Sequence, residues 1–82
     1  MEQLARTPKQ IGDALRRRRR TLGLNQTDLG EKTGMRQATI SVVEAGAPGT
    51  QLSTLCDILA ALDLELVVRP RTKAESTIEA IF

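Results

Sequence analysis

Residues 25–46, NQTDLGEKTGMRQATISVVEAG, contain a cluster of side chains suited to recognition by hydrogen bonding rather than to bond making. Read as a helix, residues 36–43 turn Ile40 and Val43 to one face at i, i+3 spacing and leave Arg36, Gln37, Ala38, Ser41 and Val42 on the other. The outward set offers a guanidinium, an amide, a hydroxyl and small apolar groups, which can meet phosphates and base edges when a short helix enters a DNA groove. None of these groups is a nucleophile with a base beside it. The chain has no His, Trp or Tyr and only one Cys. Ser-His and Cys-His catalysis are thereby excluded, and a zinc site would have one thiolate and scattered carboxylates to draw on. No enzymatic activity, cofactor or metal site is expected. Aromatic platforms for single-stranded bases are missing too, since the one aromatic residue is Phe82.

Presenting that face takes two short helices with a sharp turn between them. Thr33-Gly34-Met35 is the turn, with Gly34 free to take positive φ. Asn25 caps the first of the pair, Asp28 favours its positive end, and Leu29 faces inward. Upstream, Thr7-Pro8-Lys9-Gln10 predicts a helix start with Thr7 as N-cap, Pro8 at the first helical position and Gln10 closing a capping box. That helix runs from Pro8 to about Leu22 and stops at Gly23. Ile11, Ala14, Leu15 and Leu22 share a stripe into which Arg18 falls. Successive helical residues step by about 100°, so the run Arg16 to Arg20 encircles the helix. One or two of these arginines must reach the core edge, with a snorkelling stem or a carboxylate partner, while the others face phosphates. Residues 45–51 form a turn-rich loop around Pro48. A fourth helix starts near Leu52, with Thr50 or Gln51 at its cap. Leu52, Leu55, Ile58, Leu59 and Leu62 form its core ridge against the first helix, and Cys56 reads as a small core residue.

At 82 residues the chain makes one domain. A domain this small buries only about 60% of its unfolded surface, so dimerisation is expected. The first 20 residues hold seven of the 12 basic side chains and two of the ten acidic ones, which suggests a polyanion nearby. Leu64-Glu65-Leu66-Val67-Val68-Arg69 alternates like a strand that Pro70 ends. A lone strand needs a partner, and the same strand of a second chain across a two-fold axis would supply one through Leu64, Leu66, Val67 and Val68. A fifth short helix is the other reading of these residues. Residues 71–82 form a polar tail that ends in apolar groups. Ile78, Ile81 and Phe82 fall at i, i+3 and i+4, so the tail is either a disordered terminus or a segment that docks on a protein partner. The expected division is an N-terminal arm over 1–7, a DNA-binding domain over 8–63, a dimerisation strand over 64–70 and a flexible tail over 71–82. No apolar run approaches the roughly 20 residues that span a bilayer, and no signal-peptide pattern opens the chain. With a single Cys, a reducing, cytoplasmic, nucleoid-associated setting is expected.

Leu22-Gly23-Leu24-Asn25-Gln26, Leu29-Gly30, Thr33-Gly34, Ala38-Thr39-Ile40-Ser41 and Glu44-Ala45-Gly46 resemble the phage-repressor (XRE) family of helix-turn-helix proteins over about residues 11–62. Within it, Arg36-Gln37-Ala38-Thr39-Ile40-Ser41 and the strand-like segment are most similar to the HipB antitoxins. The resemblance implies a lambda-repressor-like all-α bundle of four helices with a C-terminal strand paired across a dimer. It also implies repression at a two-fold symmetric double-stranded operator and a HipA-like kinase toxin as partner. A free-standing repressor without a toxin, or a protein-interaction adaptor, are the alternatives. Carried onto this sequence, Gln37 and Ala38 meet base edges, with Ser41 and Val42 one turn on. A Gln amide can pair with adenine and the Ala methyl with thymine. Gln26 meets a phosphate and braces the reading helix. Arg16, Arg17, Arg20, Asn25, Arg36 and Thr39 complete the DNA-backbone set, with guanine a second option for Arg36. Arg19 matches a position that pairs with the carboxylate at Glu44, a structural role. Three departures are Gly30 in place of Ala, which should loosen its helix by up to about 1 kcal/mol, Arg18 in place of an apolar residue, and Val42 in place of a polar one.

Overall fold

Side-chain caps decide where the first helices begin. The computed structural model describes residues 2–71, which fold as α1 (Pro8–Thr21), α2 (Gln26–Thr33), α3 (Gln37–Glu44) and α4 (Leu52–Ala61). Thr7 Oγ1 accepts from the Gln10 N–H at 3.1 Å, and Pro8 opens α1. The expected box stays open there, because Gln10 Oε1 accepts from the N–H of Arg6 instead of Thr7. At α2 the box is complete: Asn25 Oδ1 accepts from the Asp28 N–H at 2.7 Å, and Asp28 Oδ2 accepts from the Asn25 N–H at 2.9 Å.

The turn after α2 depends on two glycines. Gly34 ends the helix at φ 69°, in the left-handed region. The chain then doubles back so closely that the Met35 N–H donates to Gly30 O at 2.8 Å. A Cβ on Gly30 would stand 2.6 Å from Met35 O. Gly30, expected only to weaken α2, is thus what lets the turn close.

Leu15, Leu29, Ile40, Val43, Leu55, Ile58 and Leu62 form the core, with Ile11, Leu24, Met35, Leu59 and Leu64 packed around it. α2 lies against α3, and α1 against α3. α4 packs chiefly on α2, not on α1 as its stripe predicted. Leu52 is 72% exposed: helical side chains lean toward the N-terminus, so one in the first turn reaches past the bundle. Cys56 is also exposed, one helical step of about 100° round from buried Leu55. Leu22 leaves the expected stripe because it is already the C-cap of α1.

Arg18 explains how a charge can occupy an apolar stripe. Its Nε donates to Leu62 O at 2.9 Å, satisfying a carbonyl that the end of α4 leaves without a helical partner. Asp63 turns the chain at φ 57°, and the Leu64 N–H returns to Leu59 O at 2.8 Å. Leu64 is thereby half-buried on its own core. Beyond it, residues 65–71 form neither the fifth helix nor an intrachain ladder, and among the described residues there is no strand. Leu66, Val67 and Val68 are exposed, Val68 by 93%. Ile78, Ile81 and Phe82 lie outside the described residues.

Candidate nucleic-acid interface

The site is built on a close approach of α1 to the end of α3. A Cβ on Gly12 would come within 2.3 Å of Glu44 O and 2.9 Å of Val43 O. Only glycine fits there, and this contact brings the arginines of the following turns to Glu44. The sequence reading missed it, although a glycine inside a helical stripe is itself a sign of close packing.

Glu44 is 1% exposed and Arg19 7%. Arg19 grips the carboxylate with two bonds, Nε to Oε2 at 2.7 Å and Nη2 to Oε1 at 3.0 Å, while its Nη1 donates to Leu24 O at 2.9 Å. One guanidinium therefore ties α1 to the loop before α2 and to the last turn of α3. Burial pushes the Glu44 carboxyl up. Hydrogen bonds from Arg19 and Gln26, with the charges of Arg19 and Arg16, outweigh that and hold it below the usual carboxylate range. The hydrogen bond to Glu44 raises Arg19, against the opposing effect of burial.

From Glu44 the bonding runs outward. Gln26 Nε2 donates to Glu44 Oε1 at 3.2 Å, and Gln26 Oε1 accepts from Gln37 Nε2. Gln26, the first residue of α2, thus holds Gln37, the first residue of α3. Gln37 and Ala38 are exposed, as is Val42, while Ser41 and Thr39 are half-buried on the same short helix. Arg36 is the exposed N-cap of α3 and makes no capping bond with its side chain. The start of α3 therefore presents backbone N–H groups and the positive end of its dipole beside that guanidinium. Asn25 is less available, since its oxygen caps α2 and only its NH2 remains to donate.

The arginine run divides by angle. Arg16 is half-exposed, with Nε 3.7 Å from Glu44 Oε1. Arg17 and Arg20 are exposed and line an open cleft with Asp13, Arg16 and Thr21. Among the described residues no cluster of acidic or Cys side chains could hold a metal ion, and no helix is long and apolar enough to cross a membrane.

Residues 10–71 match the helix-turn-helix domain family. Over 62 residues the chain is 36% identical to antitoxin HipB of Escherichia coli O6:H1, covering 76% of this chain and 66% of that protein. The chain thus spans just under two thirds of that relative's length. Among solved structures it is similar to the HipB–O4 20mer complex, with a TM-score of 0.80 and 32% identity over 87% of this chain and 100% of that one. Similarity to the HipA–HipB–O2–O3 complex is of the same degree, TM-score 0.80 and 32% identity with the same shares covered.

Proposed function

Since the chain belongs to the helix-turn-helix family of DNA-binding transcriptional regulators and is a relative of the HipB antitoxins, we propose that it is a homodimeric operator-binding repressor. Each subunit reads one half-site of a two-fold symmetric operator with Gln37 and Ala38, with Ser41 and Val42 one turn further along α3. Arg16, Arg17, Arg20, Arg36, Gln26, Asn25 and Thr39 hold the DNA backbone and set the register. The exposed apolar residues Leu66, Val67 and Val68 pair with their mates in a second copy, with Leu64 at the hinge. That pairing separates the two reading helices by about 34 Å, one turn of B-DNA. By analogy with the HipA–HipB–O2–O3 complex, a HipA-like kinase toxin is the protein partner, docked through Ile78, Ile81 and Phe82, and the operon it shares with this chain is the regulated one. The working division of the chain is arm 1–7, DNA-binding domain 8–63, strand 64–70 and tail 71–82.

The observation that carries this reading is the braced Gln37, an exposed amide held by Gln26 at the first turn of an uncapped helix. Base-edge recognition needs a polar group fixed in place before it meets the groove, and this one is. Selection of binding sites from randomised duplexes is the test. Wild type should enrich a two-fold symmetric site. Gln37→Ala should relax one base pair in each half-site, losing about 1–3 kcal/mol against the preferred sequence and little against random DNA. Equal losses on both would reduce Gln37 to a backbone contact.

A further inference from the structure

We infer that buried Glu44 is a positioning residue for base recognition: through Gln26 it fixes which atoms of the Gln37 amide face the DNA, and so selects adenine over guanine. This rests on the proposal that Gln37 reads a base edge. It goes further in giving a residue that never touches DNA a part in specificity.

The inference follows from donor and acceptor chemistry alone. An ionised carboxylate can only accept hydrogen bonds. Glu44 is held ionised by the two-pronged grip of Arg19, so what Gln26 offers it must be the amide nitrogen. The second N–H of Gln26 is the donor proposed for a phosphate, and the side facing Gln37 carries the Gln26 oxygen, which can only accept. Gln37 must therefore turn its own nitrogen inward. One amide hydrogen is used in that bond, and the exposed tip of Gln37 keeps its other N–H and its oxygen. The direction of two amides is thus dictated by a charge 1% exposed to solvent.

A donor and an acceptor side by side match adenine, which shows an N7 acceptor and an N6–H donor in the major groove. Guanine shows two acceptors, N7 and O6, and the Gln37 oxygen would face one of them. If the relay ran the other way, Gln37 would turn its oxygen inward and its NH2 outward, the pattern that suits guanine. A carboxylate at position 44 holds the relay in the first direction by keeping the Gln26 nitrogen on its own side, whereas an amide there removes that bias.

Two variants test this by selection from randomised duplexes, each read as the ratio of adenine to guanine at the base pair that Gln37→Ala relaxes. Gln26→Met removes the relay while leaving the Arg19–Glu44 pair in place, so its melting temperature should match wild type. Its lost phosphate contact lowers affinity for every sequence alike, which leaves the ratio as the informative quantity. Glu44→Gln keeps the shape at position 44 but frees the direction; if it fails to fold, Gln26→Met decides alone. A wild-type preference for adenine of roughly tenfold or more should fall below about threefold in every folded variant. Retention of the full preference in Gln26→Met overturns the inference and leaves the repressor reading standing, as does a wild-type preference for guanine. Wild type that selects no sequence overturns both.

Discussion

Arg19 and Arg20 are neighbours in a run of five identical residues, yet one is 7% exposed with every bonding nitrogen engaged and the other stands in solvent. Helix geometry accounts for the division. A step of about 100° carries the guanidinium from the face packed on α3 to the face that looks outward. The same chemical group is therefore a structural bolt at one position and a free cation at the next. Arg18 and Arg16 fall between these extremes, one closing the end of α4 and the other bordering Glu44 while half-exposed. Charge that looks uniform in sequence is thus divided between holding the bundle together and facing solvent.

The contrast breaks most sharply if the buried member is removed. Arg19→Ala leaves the Glu44 carboxylate buried without its main partner, and losing one side of such a pair costs about 3–5 kcal/mol. For a domain of this size that lowers the melting temperature by more than about 10 °C. Arg20→Ala should stay within about 0.5 kcal/mol of wild type. Equal melting temperatures would show that the pair is not buried in solution. Acid sharpens the comparison. Glu44 is held below its unfolded value of about 4.3, so the stability it contributes is complete above that pH and is lost as pH falls through the lower folded value. Wild type should lose its advantage over Glu44→Gln across that acidic window, whereas Arg20→Ala should follow wild type throughout. A constant gap between wild type and Glu44→Gln would contradict this.

Gly12→Ala should have the next largest effect. The new methyl meets backbone carbonyls at 2.3 and 2.9 Å, which cannot swing aside as a side chain would. Overpacking of this kind costs about 1–3 kcal/mol. α1 must shift from α3, so the Arg19–Glu44 pair should loosen and the acid-sensitive part of the stability shrink with it. Chemical denaturation at neutral and acidic pH would measure both. A fully stable Gly12→Ala protein would mean that the two helices lie further apart than the present geometry places them.

The helices were legible because their signals are local. Thr7-Pro8, Asn25 with Asp28, and Gly34 each act within one turn, and Leu29, Ile40 and Val43 follow the helical period. The Arg19–Glu44 pair was legible only through resemblance, since nothing local says which of five arginines turns inward. Other features depended on contacts distant in sequence. Gly12 meets Glu44 across 32 residues, Arg18 meets Leu62 across 44, and the bond from Gln26 to Glu44 spans 18. No window along the chain holds both partners. Leu52 and Cys56 fit an apolar stripe but lie outside the core, because periodicity gives a face without saying which end of it the neighbouring helices cover. The outward face of α3 was readable from spacing, whereas the bond from Gln26 to Glu44 behind it was not.

The smallest effect on folding is expected for Arg17 and Arg20 together, and that silence makes them informative. Neither has an ion-pair partner among the described residues, and both line the open cleft on α1. Removing them should change the unfolding free energy by no more than about 0.5 kcal/mol for each. Their proposed work is on phosphates, where each neutralised contact releases counterions and contributes about 0.9 to the slope of log K against log salt for duplex DNA. In Arg17→Ala/Arg20→Ala that slope should fall by nearly twice this amount, and it should fall alike on preferred and random sequences, since phosphates carry no base information. Gln37→Ala should do the reverse, leaving the slope unchanged and altering the sequence preference. Should the double variant keep the wild-type slope, the outward arginines do not reach the DNA, and the backbone grip falls to Arg16, Arg36 and the open start of α3.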